Sequence, residues 1–203
     1  KNLLLAPCLV DPHSFLESPF SGREENIYTL IKKATYAGYG QLGILPKSNL
    51  WRDQIESIVS LKTVKSEVLI HMWGGFSLKG KGIALSKHAD LLQNGAIGLA
   101  DDDFTPPIDL LKKGFLLREM NESPVLIAPR DKSLQAGGFS RQSVDTLRAG
   151  WPPDPIESEI IPLIKILELH KQYPKIALRL MNISTSQSVS ILKKSNHKPM
   201  TTV

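Results

Sequence analysis

Residues 95–120 read GAIGLADDDFTPPIDLLKKGFLLREM, and the way this stretch divides decides the fold. Ala96 to Ala100 is a short apolar run without charge, as a strand covered on both faces requires. Three aspartates break it. Pro106 or Pro107 then opens PIDLLKKGFLLREM at the first helical position, where a missing backbone donor costs nothing. Strand, polar turn and helix in this order form a β/α unit, and repetition of such units builds a parallel sheet.

The pattern recurs in both directions from this unit. Apolar runs predict further strands at Asn2 to Leu9, Gln41 to Leu45, Glu67 to His71, Val125 to Ala128, Ile176 to Met181 and Pro199 to Val203. Helices fill the gaps. Ser21 with Glu24 makes a capping-box pattern before NIYTLIKKATYAG, where Ile27, Leu30, Ile31 and Ala34 share a face and Gly38 can end the helix. Asn49 and Ser86 are the expected caps of the next two helices, and Ser184 or Thr185 caps TSQSVSILKKS. PIESEIIPLIKILELHKQY places acids in its early turns, where the helix dipole favours them, but Pro162 should delay the regular helix or bend it. Strands follow one another at about thirty residues, except across the loop from Pro129 to Pro155, whose length marks it as functional or mobile. The expected fold is α/β: a TIM-type (β/α)8 barrel with about seven strands, incomplete. It is read as a single domain over residues 1–203 that stops before the eighth strand, with the natural protein continuing past Val203.

Composition narrows the function classes. A chain of 203 residues with a 41% hydrophobic and 22% charged share is an ordinary globular protein able to bury a substantial core. Its net charge of +5 comes from basic residues scattered among acidic ones, with no basic stripe interleaved with aromatics, so nucleic acid is not an expected partner. No segment approaches the length needed to cross a bilayer, and no membrane partner is expected. LLLAPCLV is too short for a signal peptide and lacks a small-residue cleavage pattern. Its Cys8, the one cysteine, reads as a buried small apolar residue in a reducing, cytoplasmic compartment.

In a barrel of this kind the chemistry belongs at the carboxyl ends of the strands. That end should carry His13, Lys47, Trp73, Asp101 to Asp103, Arg130 and Asn182. A lone His13 reads as a hydrogen-bonded residue at a strand end, and His71, His88, His170 and His197 lack metal spacing. Three consecutive aspartates cannot all point inward, so one or two should cap the following helix. SLKGKGIALS, and GGFSRQS with Arg141, hold the glycines and cations of an anion cradle without the phosphate-loop pattern, and read as solvated loops.

The order of motifs resembles the dihydroorotase family of the amidohydrolase superfamily across most of the chain. DPHSFLESP stands where the family has D-x-H-x-H-x-R-E-P, and LPKS where it has M-P-N-T. GAIGLADDD with PIDLLKKG is similar to the fourth strand, its D-D-G turn and the next helix, and VLIAPRDKSL to V-x-x-H-C-E-D-x-x-L. PIESE resembles P-x-x-A-E, and LRLMNISTSQSV resembles H-x-x-H-I-S-T-x-x-S-V. The resemblance implies a metal-dependent hydrolase barrel. Its zinc would be held by histidines of the first, fifth and sixth strands, an aspartate or carboxylated lysine of the fourth and an aspartate of the eighth. That metal activates water to attack the cyclic amide of dihydroorotate.

Carried over position by position, the family pattern leaves His13 in place but puts Phe15 where the second histidine stands. Ala128 takes the fifth-strand histidine position and Asn182 the sixth-strand one, while Glu17 replaces the arginine for the substrate carboxylate and Lys47 the second-strand asparagine. Arg130 completes the pocket positions, and His13 with Asp102 are the vestigial metal residues. A catalytic zinc normally takes three protein ligands, so no catalytic set is intact and no cofactor is expected. The expected function is a dihydroorotase-like protein of pyrimidine biosynthesis, catalytically degenerate, with a structural or assembly role beside aspartate transcarbamoylase or a second copy of itself. The alternative is an active cyclic amidohydrolase, or an anion-binding protein, that takes a small anionic metabolite with Lys47, Arg130 and an aspartate in place of zinc.

Overall fold

The computed structural model describes residues 6–16, 25–48, 51–195 and 199–201. Its strands are β1 (Leu9–Ser14), β2 (Tyr39–Ile44), β3 (Leu69–Gly75), β4 (Ala96–Ala100), β5 (Val125–Ile127), β6 (Ser140–Arg141), β7 (Pro153–Asp154), β8 (Leu178–Leu180) and β9 (Met200–Thr201). Seven of them form one curled parallel sheet in the order β1-β2-β3-β4-β5-β8-β9, and β6 pairs with β7 apart from it. The helices are α1 (Ile27–Tyr36), α2 (Ile55–Lys62), α3 (His88–Gln93), α4 (Ile108–Leu117), α5 (Lys132–Gln135), α6 (Val144–Arg148), α7 (Glu157–Gln172) and α8 (Ser186–Lys194). Parallel strands alternating with helices make the incomplete TIM-type barrel that the sequence predicts.

Alternation along the strands builds two apolar layers. Ile44, Met72, Leu99, Val125, Ile127 and Leu180 belong to the large core shared with helix residues such as Ile58, Leu111, Phe115 and Ile166. Leu45, Trp73, Ala100, Leu126, Ala128 and Met181 form a second, inner cluster. Trp73 was expected at the mouth, but its position mid-strand on β3 makes it the filler of the inner layer. Its indole Nε1 donates to the Pro12 carbonyl at 2.9 Å. A Cβ on Gly98 would come within 2.5 Å of both the indole and the Pro124 carbonyl, so β4 passes the ring only because it carries glycine there.

Several sequence expectations need correction. The first strand begins at Leu9, where the apolar run had been expected to end, and residues 2–5 of that run lie outside the described residues. An edge strand need not be apolar on two faces: Leu9 and Val10 are exposed, and Pro12, without an N–H, is tolerated there. Cys8 therefore precedes the strand and is exposed, lying against Gly40, rather than buried. The caps proposed at Ser21, Glu24 and Asn49 lie outside the described residues. The capping box of α1 is formed by Asn26 and Thr29. Ser86 does not cap α3, because its hydroxyl donates to the Gly75 carbonyl instead. Thr185 does cap α8, accepting from the Ser188 N–H.

Helix α7 runs unbroken through Pro162. The Ser158 carbonyl, which proline deprives of its helical donor, accepts the Asp131 N–H at 2.8 Å, so the missing bond is made from outside the helix. That bond comes from the excursion between Pro129 and Pro155. The excursion is not a structureless loop, since it holds α5, the β6–β7 pair and α6. Among the described residues no helix is long and apolar enough to cross a membrane.

Candidate functional site

Lys47 lies three residues beyond β2, and its ammonium stands 2.9 Å from Asp102 Oδ1 and 3.4 Å from Asp103 Oδ2. It also lies 5.1 Å from the centroid of the Phe15 ring, over its face. Asn182 Nδ2 donates to Asp103 Oδ1 at 3.4 Å, and Lys132 Nζ approaches Asp102 Oδ2 at 3.9 Å. The fold thus brings four of the positions picked from sequence, Phe15, Lys47, Asp102 and Asn182, around one ion pair. Burial pulls the Lys47 pKa down, but the hydrogen bonds and charges of Asp102 and Asp103 outweigh it and hold it above the ordinary lysine value. Lys47 is an ammonium here, not an amine poised for nucleophilic attack.

Asp101 points elsewhere. Its carboxylate accepts from the Ser77 N–H at 2.9 Å and the Ser77 hydroxyl at 2.6 Å. Desolvation nevertheless pushes its pKa up to about 7. None of the three aspartates caps α4, whose N-cap is Pro107; the expected capping gives way to these longer-range partners. His13 is half-buried on β1, its backbone N–H bonded to Asp11 Oδ1 at 3.1 Å. Ala128 is buried in the inner cluster, and Glu17 lies outside the described residues.

Phe15 and Ala128 offer no lone pair, the Asn182 amide is bonded to Asp103, and both carboxylates face the Lys47 ammonium. No group of three or more His, Cys, Asp or Glu able to hold a metal ion occurs among the described residues. The other histidines have structural partners: His88 Nε2 bonds the Phe76 carbonyl, His170 Nε2 the Ile176 carbonyl and His71 Nε2 the Gln41 side chain. His197 lies outside the described residues.

Arg130, picked from sequence as a pocket position, stands instead in a second polar cluster whose other members the sequence did not announce. Arg130 Nη1 meets Asp154 Oδ2 at 2.6 Å, and Arg141 bridges Asp154 at 3.3 Å and Glu159 at 2.9 Å. Arg141 was expected to be solvated; β6 instead turns it back toward the barrel. Glu159, fully buried, also accepts from the backbone N–H and hydroxyl of both Ser184 and Thr185. Burial alone would raise the Glu159 pKa, but hydroxyl donors from Ser184, Ser188 and Thr185 outweigh it and hold the carboxyl below the ordinary range. Ser158 donates to Asp154 Oδ1 at 2.5 Å. The signal was present in the motifs PIESE and NIST, but nothing in either spelled out that one binds the other.

No family model matches the chain. Among curated proteins it is 27% identical over 216 residues to a protein of a Synechocystis strain named as dihydroorotase-like, covering 95% of this chain and 49% of that protein. It is 25% identical over 199 residues to a dihydroorotase of Elusimicrobium minutum, covering 96% of this chain and 46% of the relative. The chain spans about half the length of the curated relatives it matches. Among solved structures, a dihydroorotase of Saccharomyces cerevisiae in complex with 5-fluoroorotic acid superposes with a TM-score of 0.63 at 12% identity, over 92% of this chain and 50% of that one. A dihydroorotase of Campylobacter jejuni gives a TM-score of 0.62 at 13% identity, over 96% of this chain and 53% of that one.

Proposed function

We propose, from the premise that this chain belongs to the dihydroorotase family, that it is a catalytically degenerate member with a structural or assembly role in pyrimidine biosynthesis. The reading places it in the cytoplasm, with aspartate transcarbamoylase or a second copy of the chain as its partner. One observation supports it: the Lys47 ammonium, 2.9 Å from Asp102, provides positive charge at a mouth where Phe15 and Ala128 carry no lone pair. An internal ammonium neutralises the acids but, unlike zinc, it cannot bring the pKa of a bound water near neutrality. Phe15 and Ala128 remove two further donors.

Metal analysis of the full-length protein, coupled to a dihydroorotate hydrolysis assay, tests the reading. The expected result is zinc well below one per chain and no turnover. Stoichiometric zinc together with turnover overturns it. Association with aspartate transcarbamoylase in analytical ultracentrifugation supports the assembly role, and a protein that stays monomeric with the partner present speaks against that role.

A further inference from the structure

Helix α6 turns the usual amphipathic pattern inside out. Its half-buried residue is Thr146, whose hydroxyl donates to the Arg141 carbonyl at 3.3 Å and accepts the Ser143 N–H at 2.9 Å. Val144 and Leu147 stand 64% and 54% exposed. A surface helix ordinarily lays such apolar residues on the core. The chain on either side is exposed in the same way: Phe139 and Trp151 are 70% and 53% exposed, with ring centroids 6.3 Å apart. Clustered large apolar side chains facing water mark a surface that something covers.

This surface stands on an anchored base. Arg141, just before α6, is held by Asp154 and Glu159, and the Gln142 N–H donates to the Asp154 carbonyl at 3.0 Å. A capping box of Ser143 and Thr146 then fixes the start of the helix. The apolar face is thus presented already ordered, which lowers the entropy lost on docking.

The charges of α6 say what that face fits. Asp145 and Arg148 are exposed, and among the described residues neither forms an ion pair. At about 100° per residue, Leu147, Val144, Arg148 and Asp145 follow one another around the side of the helix opposite Thr146. A two-fold axis that lays α6 antiparallel against its own copy sets the charged flanks side by side. Asp145 of each copy then meets Arg148 of the other, while Val144 and Leu147 pack across the axis. A partner surface of one charge sign would satisfy only one of the two residues.

We propose that this face of α6 is the docking surface for a second copy of the chain, packed by Val144 and Leu147 and set in register by reciprocal Asp145–Arg148 pairs. The proposal deepens the assembly role and rests on that reading, choosing a second copy of the chain over aspartate transcarbamoylase as the occupant of this face.

Sedimentation of the full-length protein over a range of concentrations tests it, with the wild type expected to dimerise. Asp145→Arg sets like charges opposite each other twice, and so does Arg148→Asp; each should weaken self-association by about tenfold or more. Mixing the two single variants should restore it, since a basic α6 then faces an acidic one, and the double variant should dimerise as the wild type does. Both side chains are exposed, so every variant should keep the wild-type circular dichroism spectrum. A wild type monomeric at all concentrations overturns the proposal; if that monomer still sediments with aspartate transcarbamoylase, the assembly role stands without it. Dimers indifferent to the single reversals, or single variants that mixing fails to rescue, place the interface elsewhere and overturn it too.

Discussion

The two flanks of the barrel mouth carry the same kinds of charge and use them differently. Beyond β2 and β4, Lys47 and Asp103 are open to water and Asp102 is partly covered, with side-chain exposures of 39%, 53% and 15%. Beyond β5 and β8, Glu159 and Asp154 are buried, and each is held by arginine together with hydroxyl donors. The first pair neutralises charge. The second joins α7, the segment leading into α8 and the excursion in one network. The chain keeps the motifs that carry its resemblance at Glu159, Ser184 and Thr185, whose side chains hold elements together, and departs from them at Phe15, which lies under the Lys47 ammonium, and at Ala128, which packs in the inner cluster.

The largest effect expected from this contrast is at Glu159. Glu159→Ala takes from Arg141 one of its two carboxylates, leaving it Asp154, and strips the shared acceptor from four donors of Ser184 and Thr185; breaking a buried pair of this kind costs about 3–5 kcal/mol. Urea unfolding of the variant beside Lys47→Ala measures the difference directly. Equal losses in the two variants would erase the distinction between the flanks.

Repetition made the barrel legible, because each β/α unit advertises itself by an apolar run and an amphipathic one; the predicted strand Ala96 to Ala100 coincides with β4 residue for residue. The first strand was misplaced since an edge strand such as LVDPHS carries no two-faced apolar signal. Of the site, Phe15, Lys47, Asp102 and Asn182 were legible because each sits at a motif position on a strand end. Arg141 was not. It lies 18 residues before Glu159 and 43 before Ser184, and only the short β6–β7 pair, which no periodicity announces, brings it to them.

A smaller effect separates Asp101 from Glu159 by pH. Burial raises the Asp101 pKa from 3.8 to about 7, so the folded state binds a proton more readily than the unfolded chain, and stability falls as pH rises between those values. Glu159 acts with the opposite sign: its pKa is depressed below 4.5, so its contribution is present above that value and is lost as pH falls through the native pKa. For these two groups stability should peak at about pH 4, where the two limbs meet. Chemical denaturation across pH should show Asp101→Asn flattening the descending limb and Glu159→Gln flattening the acid limb. A descending limb that persists in Asp101→Asn would assign it to another group.

The smallest effect belongs to Lys47, and it sharpens the contrast from the other side. An ion pair this open to water contributes at most about 1 kcal/mol, because water screens it and both side chains lose freedom in forming it. Lys47→Met should therefore unfold within about 1 kcal/mol of the wild type, its lost pair partly offset by contact between the methionine and the Phe15 ring. Removing the ammonium also unmasks the Asp102 and Asp103 carboxylates, yet Phe15 and Ala128 still offer no lone pair, so the variant should take up no stoichiometric zinc after dialysis against the metal. If Lys47→Met instead bound one zinc per chain, the ammonium alone would have been what kept the metal out, and the missing histidines would be incidental.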